Sequence, residues 1–158
     1  MECVIKDQLV AYLASKNLIS KQQHAFLTRR STVTNLLECM NDWTISLQHR
    51  LNVDTIYIDF SHAFDGVVHS KLLQKLNSFG IHGLLLMWIA EFLSNRIQRV
   101  VLEHCFSDWS PVLSGIAQGS ILGPILFILF IDDISEVCSG EVSHQLYADD
   151  LKLYSSIV

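Results

Sequence analysis

Apolar residues fall at Val4, Ile5, Leu9, Val10, Tyr12 and Leu13, a helical spacing that predicts one helix over 4–15. The polar stretch "SKQQHAFLTRRST" then reads as a loop, and Ser31 or Thr32 can cap a second helix holding Leu36, Leu37, Met40, Trp43, Ile45 and Leu47. In "NVDTIYIDF" the period changes to two. Val53, Thr55, Tyr57 and Asp59 share one face of this strand, and Ile56, Ile58 and Phe60 the other. Ser70 opens a helix through "KLLQKLNSFG", with Gly80 as its stop, and "LLLMWIAEFL" reads as a buried helix. "IQRVVLEHCFSDWSPVLSG" predicts a strand pair turning near His104, and 120–137 one long apolar helix with Gly123 and Pro124 in its first turn. Strand periodicity returns on both sides of the acidic pair in "HQLYADDLKLY". Helices and strands are mixed, and hairpins outnumber parallel crossovers, so the expected class is α+β with an antiparallel sheet backed by helices.

Composition adds a surplus of apolar material. Half of the 158 residues are hydrophobic and only 17% are charged, with a mean hydropathy of +0.33. The longest apolar run, "ILGPILFILFI", is far shorter than the roughly 20 residues needed to cross a bilayer, so a buried helix is expected and no membrane partner. Exposed apolar surface, covered by further parts of a longer polyprotein, would account for the rest. Lys6 and Asp7 interrupt the first apolar stretch, which leaves no signal-peptide core there. A net charge of −5 argues against a free-standing nucleic-acid binder with a basic face. Cys3, Cys39, Cys105 and Cys138 form no C-x-x-C pair and are expected as reduced core thiols of an intracellular protein.

Asp149 and Asp150 are the candidate chemistry. Adjacent carboxylates repel, and in a dry setting one would have its pKa raised. The pair is either a turn signal or part of a site for a hard cation such as Mg2+. Asp59, at the end of its strand, tips the balance: if that strand neighbours the acidic hairpin, three carboxylates converge. Such a cluster can hold two ions about 4 Å apart, which clamp the attacking and leaving oxygens of a phosphoryl transfer. Aspartic-protease chemistry would need a D-T/S-G context that neither acid has.

"YIDFSHAFDGVVHSKLLQKL", "WIAEFLSNRIQRVVL", "SGIAQGSILGPILFILFIDDI" and "YADD" occur in this order. Together they resemble the reverse transcriptase domain of non-LTR (LINE-type) retrotransposons over nearly the whole chain. The resemblance implies a polymerase palm over 51–158, with partial fingers, helices and a loop, over 1–50. It implies RNA-directed DNA polymerase activity on an RNA template, a DNA primer and dNTP, with two Mg2+ ions (Mn2+ able to substitute), and a nuclear site of action for an active element. Asp59 and Asp149 match the metal-binding carboxylates, and Asp150 the neighbouring acid that supports the site. Phe64 matches the aromatic wall beside the 2′ position of the incoming sugar; a core phenylalanine is the alternative. Phe60 and Ser61 could offer backbone N–H groups to the triphosphate. In "SGIAQGS", which matches the segment against the template and nascent base pair, Gly115 and Gly119 would allow close backbone approach and Gln118 could hydrogen-bond in the groove. The alternative there is an ordinary loop before a helix. Arg30 matches the arginine of the fingers pattern Q-x-G-F-x-x-x-R-S, a partner for template or triphosphate. Arg96 and Arg99 are either structural or in contact with nucleic acid.

Several positions depart from the pattern: Ala25 and Arg29 stand for glycines, His62 for lysine, Gly66 and Val68 for Thr/Ser and Pro, Ala117 for proline and Asp132 for asparagine. None touches Asp59, Asp149 or Asp150. Relative to the family pattern the first fingers strands and the helical thumb are absent, so truncation at both ends is expected. Two function classes remain: a polymerase domain, and a catalytically inactive remnant or interaction module.

Overall fold

The computed structural model describes residues 1–138, 140 and 142–158. Its order is α1 (Glu2–Ser15), α2 (Thr32–Gln48), β1 (Asn52–Ile58), α3 (His69–Ser78), α4 (Gly83–Leu93), then four two-residue strands, α5 (Gly123–Ile131), α6 (Ile134–Val137), and the hairpin β6 (Ser143–Tyr147) and β7 (Asp150–Ile157). The two-residue strands are β2 (Ile97–Gln98), β3 (Val101–Leu102), β4 (Cys105–Phe106) and β5 (Ser110–Pro111). The class is α+β, as the periodicity predicts.

The main sheet is antiparallel in the order β1-β7-β6. α2 lies against one face of it: Tyr154 donates to Asp42 (2.6 Å), Gln145 to Glu38 (3.0 Å), and the Ser46 and Ser156 hydroxyls meet at 2.6 Å. Ser31 starts α2 with a reciprocal cap, its Oγ accepting the Thr34 N–H (3.2 Å) while Thr34 Oγ1 accepts the Ser31 N–H (2.9 Å). The buried residues of α2 are Asn35, Cys39 and Ser46, whereas Leu36, Leu37, Met40 and Leu47 are exposed. This helix is held to the sheet by hydrogen bonds and turns its apolar side outward, the reverse of an ordinary amphipathic helix.

The hydrophobic core is elsewhere. Leu9 and Leu13 of α1, Leu72 and Leu76 of α3, Ile89 and Leu93 of α4 and residues 125–129 of α5 form one buried cluster, which Val67, Ile116 and Ala148 join from loops. α5 is buried along its whole centre, as an evenly apolar helix must be. Glu2 of α1 accepts the N–H groups of Ile121 (2.9 Å) and Leu122 (3.2 Å), just ahead of α5.

Three expectations need correction. The apolar stretch 120–137 is not one helix: it breaks between α5 and α6 at Asp132 and Asp133. There Asp132 accepts the Ser20 N–H (2.9 Å) and Asp133 pairs with Lys75 (2.5 Å), so both carboxylates serve tertiary partners. α4 is only half-buried: Ile89 and Leu93 enter the core while Leu84 and Met87 face solvent. Of the four cysteines only Cys39 is buried; Cys3 and Cys105 are exposed, and all four are free thiols. Among the described residues no helix is long and apolar enough to cross a membrane.

Candidate active site

The site grows from the register of the sheet. β1 and β7 pair from Asn52↔Ile157 to Ile58↔Leu151, so Asp59 follows the last paired residue of β1 and Asp150 opens β7 beside it. β6 meets β7 at Tyr147↔Asp150, which leaves Ala148 and Asp149 as a two-residue turn. Strand alternation then fixes the faces. Lys152 lies over the rings of Trp43 in α2 (5.7 Å) and Tyr57 (5.5 Å), so Asp150 and Asp59, each two residues on, belong to the α2 side. Both acids line one pocket of about 380 Å3 with Tyr57, Tyr147, Lys152 and Asn35. Asp59 and Asp150 are exposed and Asp149 is half-buried.

The predicted neighbours therefore meet, but the predicted triad is not closed. Asp149 does not line that pocket. Among the described residues no three His, Cys, Asp or Glu side chains are grouped closely enough to hold a metal. The donor chemistry still suits a hard divalent cation: two carboxylates sit side by side at a sheet end open to solvent, where water and phosphate oxygens can complete a coordination shell.

Several other candidates line separate pockets. Phe60 and Ser61 line a separate pocket of about 510 Å3 with Lys71 and Lys75. Phe64, Gln118 and Gly119 line a third of about 180 Å3 with Phe26. Phe64 also stacks on Phe127 (centroids 3.9 Å, planes 16° apart), so the core role is realised while the ring still borders a cleft.

Two glycines expected near the template differ sharply. Gly119 has φ +79° and open space around it. Gly115 is buried, and its close approach is to the protein itself: an added Cβ would lie 2.9 Å from Asp65 Cα and 3.0 Å from Asp65 O. Its N–H donates to Val67 O (2.8 Å), the next N–H, of Ile116, to Phe64 O (3.0 Å), and its carbonyl meets His69 Nε2 at 2.7 Å. Gly115 thus seats the loop before α5 on the turn that follows Asp59.

Arg30 is likewise turned inward. Its guanidinium donates to the carbonyls of Lys21 and Gln23 (3.0 Å for the latter). Arg29, where the family pattern has glycine, takes φ +64°, a strained value for a residue with a side chain. Gln23 stands on the glutamine that opens the fingers pattern but drew no role from the sequence, and neither did His24; both are buried, and the Gln23 amide contacts the acidic turn. Burial pushes the His24 imidazole below its ordinary pKa, partly offset by Glu38, whose carboxylate lies 3.3 Å from Nε2. Arg96 is half-buried; Arg99 lies over the rings of Phe106 and Trp109, both at 4.5 Å, on an exposed ribbon.

Comparison with known proteins agrees with the motifs. The family model for reverse transcriptase (RNA-dependent DNA polymerase) matches residues 1–157. The chain is 29% identical over 156 residues to the RNA-directed DNA polymerase from mobile element jockey of Drosophila melanogaster, covering 95% of this chain and 17% of that protein. Its counterpart in Drosophila funebris is 28% identical over 157 residues, 96% of this chain and again 17% of the relative. The probable RNA-directed DNA polymerase from transposon BS of Drosophila melanogaster is 25% identical over 165 residues, 98% of this chain and 18% of that protein. The chain thus spans under a fifth of the length of these relatives. With the family motifs in order and the model matched over residues 1–157, the chain belongs to the reverse transcriptase family.

Proposed function

We propose that this chain is the nucleotidyl-transfer core of an RNA-directed DNA polymerase, with palm over 51–158 and part of the fingers over 1–50. The observation that carries the reading is the register that sets Asp59 beside Asp150, one residue from the Asp149 turn. RNA template, DNA primer and dNTP are the proposed partners, and the rest of a longer polyprotein would supply the remaining duplex contacts.

In this reading Asp59 and Asp149 would hold two divalent cations, Mg2+ or Mn2+, with Asp150 supporting them. Bound there, the ions would supply charge neutralisation at the attacking and leaving oxygens of the transfer from dNTP to a primer 3′-hydroxyl. The chain's own contributions are separate. The β1–β7 ladder fixes the spacing of two carboxylates, and the hairpin turn presents the third. Phe64, fixed by its stack on Phe127, gives the neighbouring cleft a bulky wall that would crowd a 2′-hydroxyl. Gln118 and Gly119, exposed at the same cleft, leave a polar side chain and open backbone for a base pair.

A second reading is a non-catalytic module. It is favoured by the outward apolar side of α2 and by the absence, among the described residues, of a closed group of three acids. Thermal unfolding with and without Mn2+ separates the two. Mn2+ should raise the midpoint of the parent chain and leave Asp59→Asn/Asp149→Asn unchanged; a site occupied at 100 times its dissociation constant is worth about 2.7 kcal/mol. Primer extension on an RNA template should be lost in Asp149→Asn. Extension at parental rates by that variant, or identical Mn2+ responses in both chains, would overturn the polymerase assignment.

A further inference from the structure

Asp149 sits in a turn whose other residue is in an unusual conformation. Ala148 has φ +55°, the left-handed region where a Cβ is unfavourable, and a two-residue hairpin turn ordinarily places glycine, asparagine or aspartate at such positions. Something outside the hairpin must hold it there. The buried side chain of Gln23 touches Ala148 twice: Oε1 accepts the Ala148 N–H (3.0 Å) and Nε2 donates to the Ala148 carbonyl (3.3 Å). The same Oε1 accepts the Ala25 N–H (2.9 Å), so both hydrogen-bonding ends of the amide are used.

The backbone around Gln23 is anchored to the same hairpin. Residues 22–24 run along the free edge of β6, with Leu146 N–H donating to Gln22 O and His24 N–H to Leu146 O, each at 2.9 Å. Arg30 holds the loop from the other side through the Gln23 carbonyl (3.0 Å). An unbroken path of hydrogen bonds thus runs from Arg30 through Gln23 to Ala148, next to Asp149.

We propose that Gln23 is a positioning residue for Asp149: its amide clamps Ala148 in the left-handed conformation that presents the carboxylate at the sheet end. The inference rests on the polymerase reading for what Asp149 does there. The clamp itself is independent of that reading. The buried amide replaces the conformational freedom a glycine would have, and the loop that bears it lies 125 residues away in sequence.

The experiment uses the full chain and Mn2+ alone as probe, with two readouts: exchange of the Ala148 amide hydrogen without metal, and Mn2+ affinity from free-ion electron paramagnetic resonance. Gln23→Leu keeps the volume and removes the clamp. Ser46→Ala is its control, since Ser46 is also buried and gives up a tertiary hydrogen bond, to Ser156 Oγ (2.6 Å), away from the turn and from the pocket of the acids. Gln23→Glu retains both accepting contacts and covers the case in which the leucine variant does not fold.

Loss of one hydrogen bond near 1 kcal/mol corresponds to roughly fivefold faster Ala148 exchange in Gln23→Leu than in Ser46→Ala, with Gln23→Glu between them and the parent slowest. Mn2+ affinity should fall in the same order. Adding Ala148→Gly to Gln23→Leu should restore most of the affinity, because glycine needs no clamp at this φ. Parental exchange in Gln23→Leu, equal affinity losses in Gln23→Leu and Ser46→Ala, or no recovery with Ala148→Gly would each overturn the proposal. A parent chain that binds no Mn2+ would strike at the polymerase reading, while the exchange rates would still decide the clamp.

Discussion

Gly115→Ala tests whether the loop before α5 is seated on the turn after Asp59 by direct backbone packing. Two penalties act on the variant. At φ +88° an alanine pays the left-handed cost of roughly 1–2 kcal/mol. The new methyl would also lie 2.9 Å from Asp65 Cα and 3.0 Å from its carbonyl oxygen, and neither is the yielding end of a flexible side chain. Forcing an added carbon into packed surroundings costs about 1–3 kcal/mol more. The expected loss is therefore about 2–5 kcal/mol, a large share of the ~5–15 kcal/mol that holds a domain together. Gly119→Ala is the internal reference, because its φ of +79° carries the first penalty while nothing lies within 4 Å to impose the second. At about 2–4 °C per kcal/mol, the midpoint should fall by about 4–20 °C in Gly115→Ala and by only about 2–8 °C in Gly119→Ala. Circular dichroism during thermal and urea unfolding reads both variants. If Gly119→Ala is as destabilised as Gly115→Ala, the docking of the loop on Asp65 contributes nothing beyond backbone conformation, and the argument fails.

Acid should weaken the fold in a defined window. Burial lowers the pKa of His24, against which Glu38 works in part and with which Arg30 agrees, and burial alone lowers that of His144. Both rings bind protons more readily unfolded, so stability is full above the unfolded value of about 6.5 and declines as pH falls through it, by at most ~1.4 kcal/mol per pH unit for each ring. Asp132 acts oppositely, its carboxyl raised chiefly by desolvation, and offsets part of the loss only nearer the carboxylate range. Urea midpoints measured from pH 8 to 5 check the slope, and His24→Gln should flatten it; an unchanged slope would refute the assignment. Ser31→Ala removes the acceptor for the Thr34 N–H and should cost about 0.5–2 kcal/mol, most of it recovered by Ser31→Asp. An alanine variant with the parental midpoint would mean that tertiary contacts alone fix the start of α2.

Much of the architecture was legible because it rests on local rules. The period of two in "NVDTIYIDF" marked β1 as a strand, and the cap at Ser31 was visible as a serine ahead of a helical run. The neighbouring of Asp59 and the acidic hairpin was conditional on strand order, which periodicity cannot give; the β1-β7-β6 sheet supplies it. The break after α5 was only partly legible for a related reason. The apolar run visibly ends at Asp132 and Asp133, but the partner that takes the Asp132 carboxylate, the Ser20 N–H, lies 112 residues away. α2 misleads in the opposite sense, since its apolar residues advertise a buried stripe while its sheet-facing side is Asn35, Cys39, Asp42 and Ser46.

Those illegible features share a physical character that bears on how the site is built. A sheet whose α2 side carries Lys152, Gln145, Tyr154 and the two acids cannot be covered by an apolar helix without stranding polar atoms, each costing roughly 1–3 kcal/mol. α2 meets the requirement by hydrogen bonding: Asp42 takes the Tyr154 hydroxyl, which desolvation and that carboxylate push above the ordinary tyrosine range, and Glu38 takes the Gln145 amide. The same logic recurs at both carboxylate-bearing turns. Gly115 and Ser114 bind the backbone of 65–67 after Asp59, and Gln23 binds the backbone of Ala148 beside Asp149. Each brace comes from a loop that the family pattern would have assigned to substrate. Close backbone approach and a buried amide serve an intramolecular role here, so a glycine or glutamine in such a motif is weak evidence of ligand contact until its nearest backbone is known.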